Sequence, residues 1–428
     1  MPHGSILLLS NGHGEDLSGA LIATALRRRG VAVAALPLVG HGEAYRRQGI
    51  TVLGRTRSFS TGGLGFTSLG GQIRELLEGQ TLHVILQLAR LRQRSRGADL
   101  VVAVGDVVAV LGCWLSGRPA AVYLVAYSSH YEGRLRLPWP CGWLLRRRRI
   151  GAIWARDRCT AEDLSGQLQR PVSFLGNPFL DAVLDGTDAG QTCPDAGASV
   201  SSGGSGSGDG APQRLLLLPG SRLPEAEHNL ALMLRVVPRL ARRLPQPQRL
   251  RISAALVGNL NAHEVQKMAA PLGWVPAQGA GLNQGLHHRS GLELELAWSG
   301  FAHRLAEADL VLAMAGTATE QAVGLGKPVL QLVGRGPQFT AGFAEAQRRL
   351  LGPSVVCARD EPGSPACLEP TATLGAERIQ RRPEPPTGPA RRRHHAAEAA
   401  ERIGAGGGSE RLAAAIMALL AQRSGTAA

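Results

Sequence analysis

Residues 214–229 read RLLLLPGSRLPEAEHN, and the reading of this stretch decides the fold. Four consecutive leucines stopped by Pro219-Gly220 form a run too short for a helix and too apolar for a surface strand, so they predict a buried strand leaving a sheet. Pro224, Glu225 and Glu227 then suit the first turn of a helix, where a missing N–H is harmless and acids complement the dipole. The segment is therefore expected to run strand, tight loop, helix, with Arg222 in the loop. A loop of that construction can hold an anion.

The same grammar occurs once more. ILLLSNGHGED (6–16) matches LLLLPGSRLPE (215–225), and ADLVVAVGD (98–106) matches ADLVLAMAG (308–316). The two markers lie a similar distance apart in each half. Between them, helical patterns such as LSGALIATALRRRG and NLALMLRVVPRLARRL alternate with short apolar runs such as VAVAALPLV and RISAALVG. That alternation predicts parallel sheets covered on both faces. The expected architecture is α/β, with two open Rossmann-like domains at 1–180 and 213–358. Residues 186–212, almost all Gly, Ser, Asp and Ala, read as a Gly/Ser-rich linker or disordered insertion. Residues 360–408, rich in Pro, Ala, Arg and Glu, read as a low-complexity segment without fixed structure. A capped amphipathic helix is expected over 409–423. Ligands of such sheets sit beyond the carboxyl ends of the strands, so two domains facing each other would bring Gly12, Asp106, Ser221 and Gly316 around one cleft.

Composition narrows the partners. The 428 residues carry a formal charge of +14, and aromatic content is only 4%. Lys267 and Lys327 are the only lysines, so the charge is carried by arginine. No basic motif interleaved with aromatics suggests a nucleic-acid module, and none is expected as a partner. The six cysteines form no C-x-x-C, which fits a reducing compartment and neither a disulfide framework nor a zinc site. The start reads as a first strand and not a signal peptide. The longest apolar stretch, DLVVAVGDVVAVLGCWL, is interrupted by Asp106 and is short for a span. A cytoplasmic protein, soluble or peripheral on the inner face of the membrane, is expected.

Two nucleotide signatures fail. In NGHGEDLSG, Leu17 stands where the third glycine of a dinucleotide fingerprint belongs, and Gly326-Lys327 is followed by Pro328, not by the Ser or Thr of a Walker loop. No D-x-D pair is present to bridge a diphosphate through a metal. No cofactor or metal is expected, and a bound diphosphate would be met by helix N-termini, backbone N–H groups and arginine.

At this point the motifs resemble a known family. LLLLPGSRLPE is similar to the L-L-P-G-S-R-x-x-E motif of lipid-A-disaccharide synthases, and MAGTATEQAVGLGKPVLQLVG to their G-T-A-T segment. RPVSFLGNPFLDAV and GEDLSGALI resemble further blocks of that family, in the family's order across residues 5–357. The likeness is to the branch called lipid-A-disaccharide synthase-related proteins. It implies a GT-B fold and an inverting, metal-independent transfer of a hexosyl group from a UDP-sugar to a lipid-linked acceptor. The C-terminal half would grip the donor and the N-terminal half the acceptor.

Inversion needs a base for the acceptor hydroxyl and a means to stabilise the departing diphosphate. Asp106, at a turn after a buried strand, is a candidate base or simply a cap. His13 and Glu15 are alternatives for acid–base work, with Asn11, Gly12, Gly14 and Asp16 completing the first loop. Glu15 and Asp16 also read as plain helix-start acids. Arg222 is expected on a donor phosphate, with Gly220 and Ser221 giving close backbone approach and Glu225 near Arg222. Gly316, Thr317 and Thr319 would form a second donor loop. The resemblance places a ribose contact at Gln321 or, one place earlier, Glu320, and a uracil or sugar cap at Gln338 and Phe339. Trp139, Trp143 and Leu144-Leu145 beside Arg146 to Arg149 suit a surface dipping into an anionic bilayer, or a core strand after a solvated charge run. Two other readings stay open: a UDP-sugar epimerase on the same fold, and a non-catalytic nucleotide-sugar-binding protein.

Overall fold

In a computed structural model of the chain, the described residues are 4–54, 80–131, 133–188, 212–277, 284–336, 339–358, 360–380 and 399–425. The chain divides into two units, one of Met1–Ala182 with Ala400–Ala428 and the other of Val183–Ala399.

In the first unit the strands are β1 (Ser5–Ser10), β2 (Ala32–Pro37), β3 (Thr51–Val52), β4 (Leu100–Val104), β5 (Ala120–Leu124), β6 (Ile150–Ala155) and β7 (Ser173–Phe174). They form a sheet of order β3-β2-β1-β4-β5-β6-β7, and the pairings are parallel throughout. Alternation along β1 shows how the apolar run is used. Leu7 and Leu9 join the core on one face, while Ile6 and Leu8 join the core on the other, as a central strand with two covered faces requires.

The second unit holds β8 (Gln213–Leu218), β9 (Leu250–Ala255), β10 (Trp274–Pro276), β11 (Gly285–His288), β12 (Glu293–Ala297), β13 (Leu310–Ala313), β14 (Val329–Leu332) and β15 (Val355–Ala358). Their order is β10-β11-β12-β9-β8-β13-β14-β15. The strands from β12 to β15 pair in parallel, while β10 and β11 extend the sheet as an antiparallel edge. The four consecutive leucines, 215–218, thus lie on β8, a central strand.

The repeated markers coincide with the reversal points of the two sheets. In the first unit the winding reverses between β1 and β4, in register Ser10 with Val104. In the second it reverses between β8 and β13, in register Leu218 with Ala313. A reversal leaves the loops after the two strands splayed apart at the carboxyl edge, where open α/β sheets bind ligands.

One expectation about the chain's later part is corrected. Within 360–408, residues Pro365–Gln380 form a helix that buries Cys367, Leu368, Thr371, Ala372, Gly375, Ala376 and Ile379. It packs on the helix Glu225–Ala241. Small residues at helical spacing permit close approach, and a Cβ at Gly375 would fall 2.5 Å from Leu240 Cδ1. Composition alone hides this, since Ala and Gly look like low complexity until their spacing meets a partner face. Residues 381–398 lie outside the described residues, as do 189–211 of the linker, whose 186–188 end the helix Pro178–Asp188. The expected C-terminal helix runs Gly408–Gly425 and returns to the first unit. It packs Leu412, Ala413, Ile416 and Leu420 into the same core as β1. Asp181 accepts hydrogen bonds from Gly407 N–H at 2.6 Å and Ser409 N–H at 2.8 Å, anchoring the returning chain.

Candidate functional site

After β1 the backbone turns through Asn11 and Gly12 into the helix His13–Arg28, whose N-cap Gly12 provides no side-chain cap. Asn11 organises this corner. Its side-chain N–H donates to Asp106 Oδ2 at 2.9 Å, and its backbone N–H to Glu15 Oε2 at 2.7 Å. Its Oδ1 is buried and accepts no hydrogen bond from the described residues, so it presents an acceptor for a ligand O–H or N–H. Gly105 follows β4 with φ of 146°, and a Cβ there would fall 2.5 Å from Glu15 Oε2. Only glycine lets β4 end this close to the Glu15 carboxylate.

Asp106 is held on both sides. Its Oδ1 accepts from Val108 N–H at 2.9 Å and Ala109 N–H at 3.3 Å, capping the helix Val107–Leu115. Burial nevertheless holds its pKa above the ordinary carboxylate value, opposed by the bonds from Asn11 and the backbone. The cap and proton-acceptor readings are therefore compatible, because Oδ2 faces Asn11 while Oδ1 serves the helix. Sequence reasoning missed Tyr127, on the loop after β5, whose hydroxyl accepts the N–H of Val107 at 3.0 Å. No motif marks it.

Asp16 does not belong with the ligand-facing groups. It is 2% exposed and points into the unit, where Ser10 Oγ donates to it at 2.6 Å and Tyr45 O–H donates to Ser10 at 3.0 Å. Burial raises its pKa to about 7. The reason is helical geometry: a step of about 100° per residue turns Asp16 away from Glu15. Gly14 lies half-buried in the same first turn. His13 opens the helix, and its side chain lies outside the described residues.

In the second unit the loops after β8, β13 and β14 converge. Gly220 has φ of 104°, and a Cβ there would meet Met314 O at 2.9 Å, so the Pro219–Arg222 turn lies directly against the turn leading to Gly316. Asn229, 2% exposed on the helix Glu225–Ala241, donates to Pro219 O at 2.9 Å. A Cβ at Gly334 would meet both Met314 and Asn229. One at Gly336 would meet Glu225, so Glu225 borders the loop after β14. Ser221 is exposed and Arg222 half-buried.

The second turn is fastened from inside. Thr319, fully buried, donates to Ala315 O at 2.6 Å. Gln347 donates to the carbonyls of Ala315 and Gly316, each at 3.2 Å, and accepts from buried Gln331. These inward bonds occupy carbonyls and leave the helix Thr317–Gly324 starting at Gly316 without a side-chain cap. The helix Glu225–Ala241 likewise starts at Pro224 without one. Two uncapped helix N-termini beside one sheet reversal suit an anion. Asn229, Gln331 and Gln347 were invisible to sequence reasoning because isolated amides carry no pattern.

Several expected donor contacts are corrected. The Thr319 hydroxyl is spent inside the loop, Gln321 is 4% exposed, and Phe339 is 1% exposed, its ring centroid 5.3 Å from that of Phe343 in a tilted pair against the core. Glu320, half-buried, is the more accessible of the two ribose candidates, and Thr317 is half-buried beside it. Gln338 lies outside the described residues.

The aromatic–arginine surface of the first unit divides in the same way. Leu144 and Leu145 are core residues, whereas Trp139 is 89% and Trp143 48% exposed. The Arg147 guanidinium lies 3.8 Å over Trp143, and Arg149 lies 4.3 Å over Trp114. Leu115 is also exposed, on the helix Val107–Leu115 that packs against Cys141–Leu145, and so are Ile85 and Leu86, on the helix Gln80–Arg94 that packs against Val107–Leu115. No helix among the described residues is long and apolar enough to cross a membrane.

Comparison with solved structures defines the class of fold. The chain is similar to UDP-GlcNAc 2-epimerase from Neisseria meningitidis bound to UDP-GlcNAc (TM-score 0.54, 14% identity, 98% of this chain and all, 100%, of that one). It is also similar to the calicheamicin glycosyltransferase CalG4 (0.57, 18%, 98% and 99%) and to Acinetobacter baumannii MurG (0.53, 14%, 97% and 99%). The fold is GT-B, built from two Rossmann-like domains. No family model matches the sequence. A curated relative, the lipid-A-disaccharide synthase of Alkalilimnicola ehrlichii, is 31% identical over 161 residues. That match spans 37% of this chain and 35% of the relative, about a third of each.

Proposed function

We propose that this protein is an inverting glycosyltransferase that moves a hexosyl group from a UDP-sugar to a lipid acceptor at a membrane surface, without a catalytic metal. The carrying observation is the junction of the Pro219–Arg222 and Met314–Thr317 turns at the β8/β13 reversal. There the N–H groups of two uncapped helix starts and the Arg222 guanidinium meet the donor diphosphate and stabilise it as it leaves. Ser221 and Thr317 approach the phosphates, and Glu320 takes the ribose hydroxyls. In the first unit Asn11 Oδ1 accepts a hydrogen bond from the incoming acceptor, and a carboxylate beside it, Asp106 or Glu15, removes the hydroxyl proton. Asp106 is the better base, since burial raises its proton affinity toward the working range.

Trp139 and Trp143 with Arg147 give this unit an aromatic and cationic face suited to anionic lipid. We place the protein on the inner face of the membrane, peripherally bound. The partial likeness to a lipid-A-disaccharide synthase and the motif order support a lipid acceptor.

Transfer of radiolabelled sugar from a panel of UDP-sugars into membrane lipids tests the reading, with Arg222→Ala as control. Incorporation that depends on Arg222 supports it. A second reading, a UDP-sugar epimerase, draws on the paired carboxylates Glu15 and Asp106 around Asn11. Acceptor-free conversion of a UDP-sugar would favour it instead.

A further inference from the structure

His130 lies on the loop after β5, and Asp157 and Cys159 lie at the start of the helix Arg158–Leu168, yet an imidazole nitrogen, a carboxylate oxygen and a thiol sulfur lie within 4.8 Å of one another. His130 Nε2 is 3.8 Å from Asp157 Oδ1. A tetrahedral zinc ion held at about 2.0–2.3 Å sets its ligands about 3.3–3.6 Å apart. Closing the trio on an ion therefore takes side-chain movements of about 1 Å.

The carboxylate at the centre is already oriented. Asp157 is fully buried; its Oδ2 accepts from Ser128 Oγ at 2.7 Å, and its Oδ1 from Thr160 N–H at 2.7 Å. Each oxygen has a second lone pair, so these bonds persist as the outer shell that aims a metal-bound carboxylate. The loop bearing His130 is fastened to the same helix start by Ser129 N–H donating to Thr160 Oγ1 at 2.8 Å and by Ser129 Oγ donating to Asp163 at 2.7 Å. Asp163, Glu162 and Glu401 add negative charge around the trio, and Arg156 and Arg402 positive charge. Arg156 donates through Nη1 to Val125 O at 3.0 Å. One nitrogen, one oxygen and one sulfur ligand form a borderline-soft set suited to zinc.

We infer that His130, Asp157 and Cys159 form a zinc site, with water as the fourth ligand, that clamps the loop after β5 to the start of the helix Arg158–Leu168. The site is separate from the glycosyl-transfer chemistry proposed above, which lies at the β1 and β4 loops of this unit and at the β8 and β13 loops of the second. Its consequence there is positional, because the clamped loop also carries Tyr127, the partner of the Val107 N–H beside Asp106.

The test is titration of the full chain, stripped with EDTA, with Co(II) and then with competing Zn(II). One Co(II) per chain is expected, with a thiolate-to-cobalt charge-transfer band, intense tetrahedral d–d bands, and displacement by zinc. Cys159→Ser removes the charge-transfer band, Cys357→Ser leaves it, and His130→Ala weakens zinc binding at least ~10-fold, the size that outer-shell partners alone carry. In the unmodified chain, zinc shields Cys159 from iodoacetamide, read by peptide mass; this arm needs no variant to fold. A weak octahedral spectrum, a charge-transfer band that survives Cys159→Ser, or alkylation of Cys159 unchanged by zinc would each overturn the assignment.

Discussion

Replacing Asp16 by asparagine tests whether this carboxyl is an interior group or a ligand contact. Asp16 is 2% exposed, and its carboxyl is raised from 3.8 to about 7 because burial penalises the charge more than the Ser10 hydroxyl offsets it. Between those two values the folded chain holds a proton that the unfolded chain releases. The stability of the wild type therefore falls as pH climbs from about 4 to about 7, and levels off above. The gap from 3.8 to about 7, at about 1.4 kcal/mol per pH unit, comes to about 4 kcal/mol. An asparagine amide at this position accepts the same hydrogen bond from Ser10 and carries no charge, so Asp16→Asn lacks this loss. Urea unfolding read by limited proteolysis follows each unit by its own fragments. The variant should gain on the wild type in the first unit by about 4 kcal/mol between pH 4 and 7, with the second unit unmoved. Parallel stability–pH curves for the two proteins would refute the placement of Asp16 in the interior.

Three further outcomes follow from the geometry. Gly220→Ala must place a Cβ 2.9 Å from Met314 O at a φ of 104°, at a cost of about 1–3 kcal/mol; calorimetry should show UDP affinity reduced at least ~10-fold with the first unit's unfolding unchanged. Asp106→Asn keeps a good helix cap, so Tm should hold within a few degrees while transfer falls ~10²–10⁴-fold. Because burial raises Asp106, the wild-type rate should be lost as pH drops at values above those of an ordinary carboxylate. Trp139→Ala removes an 89% exposed ring and should change stability by less than about 0.5 kcal/mol while weakening sedimentation with anionic vesicles; unchanged sedimentation would exclude that residue from the lipid-facing surface.

What could be read from the chain itself is what local pattern encodes. The leucine-rich runs before Ser10-Asn11 and Pro219 had to be strands, because four contiguous apolar residues closed by turn residues bury both faces of a short extended segment. The pairing of those runs with ADLVVAVGD and ADLVLAMAG marked the two strands that flank each sheet reversal, because each half repeats one winding. Asn11, Asp106, Gly220 and Gly316 were legible for that reason: they sit at fixed offsets from strand ends. Tertiary packing decided the rest. Adjacent residues on a helix diverge by about 100°, so only the packed core sends Asp16 inward to Ser10 and leaves Glu15 at Gly105. It likewise buries Thr319 and Gln321 while leaving Glu320 more open. The Pro365–Gln380 helix looked featureless because its small residues gain meaning only against Leu240 and its neighbours. His130 and Asp157 stand far apart along the chain, and no spacing rule joins them; parallel strands β5 and β6 end side by side, and that adjacency brings their loops together.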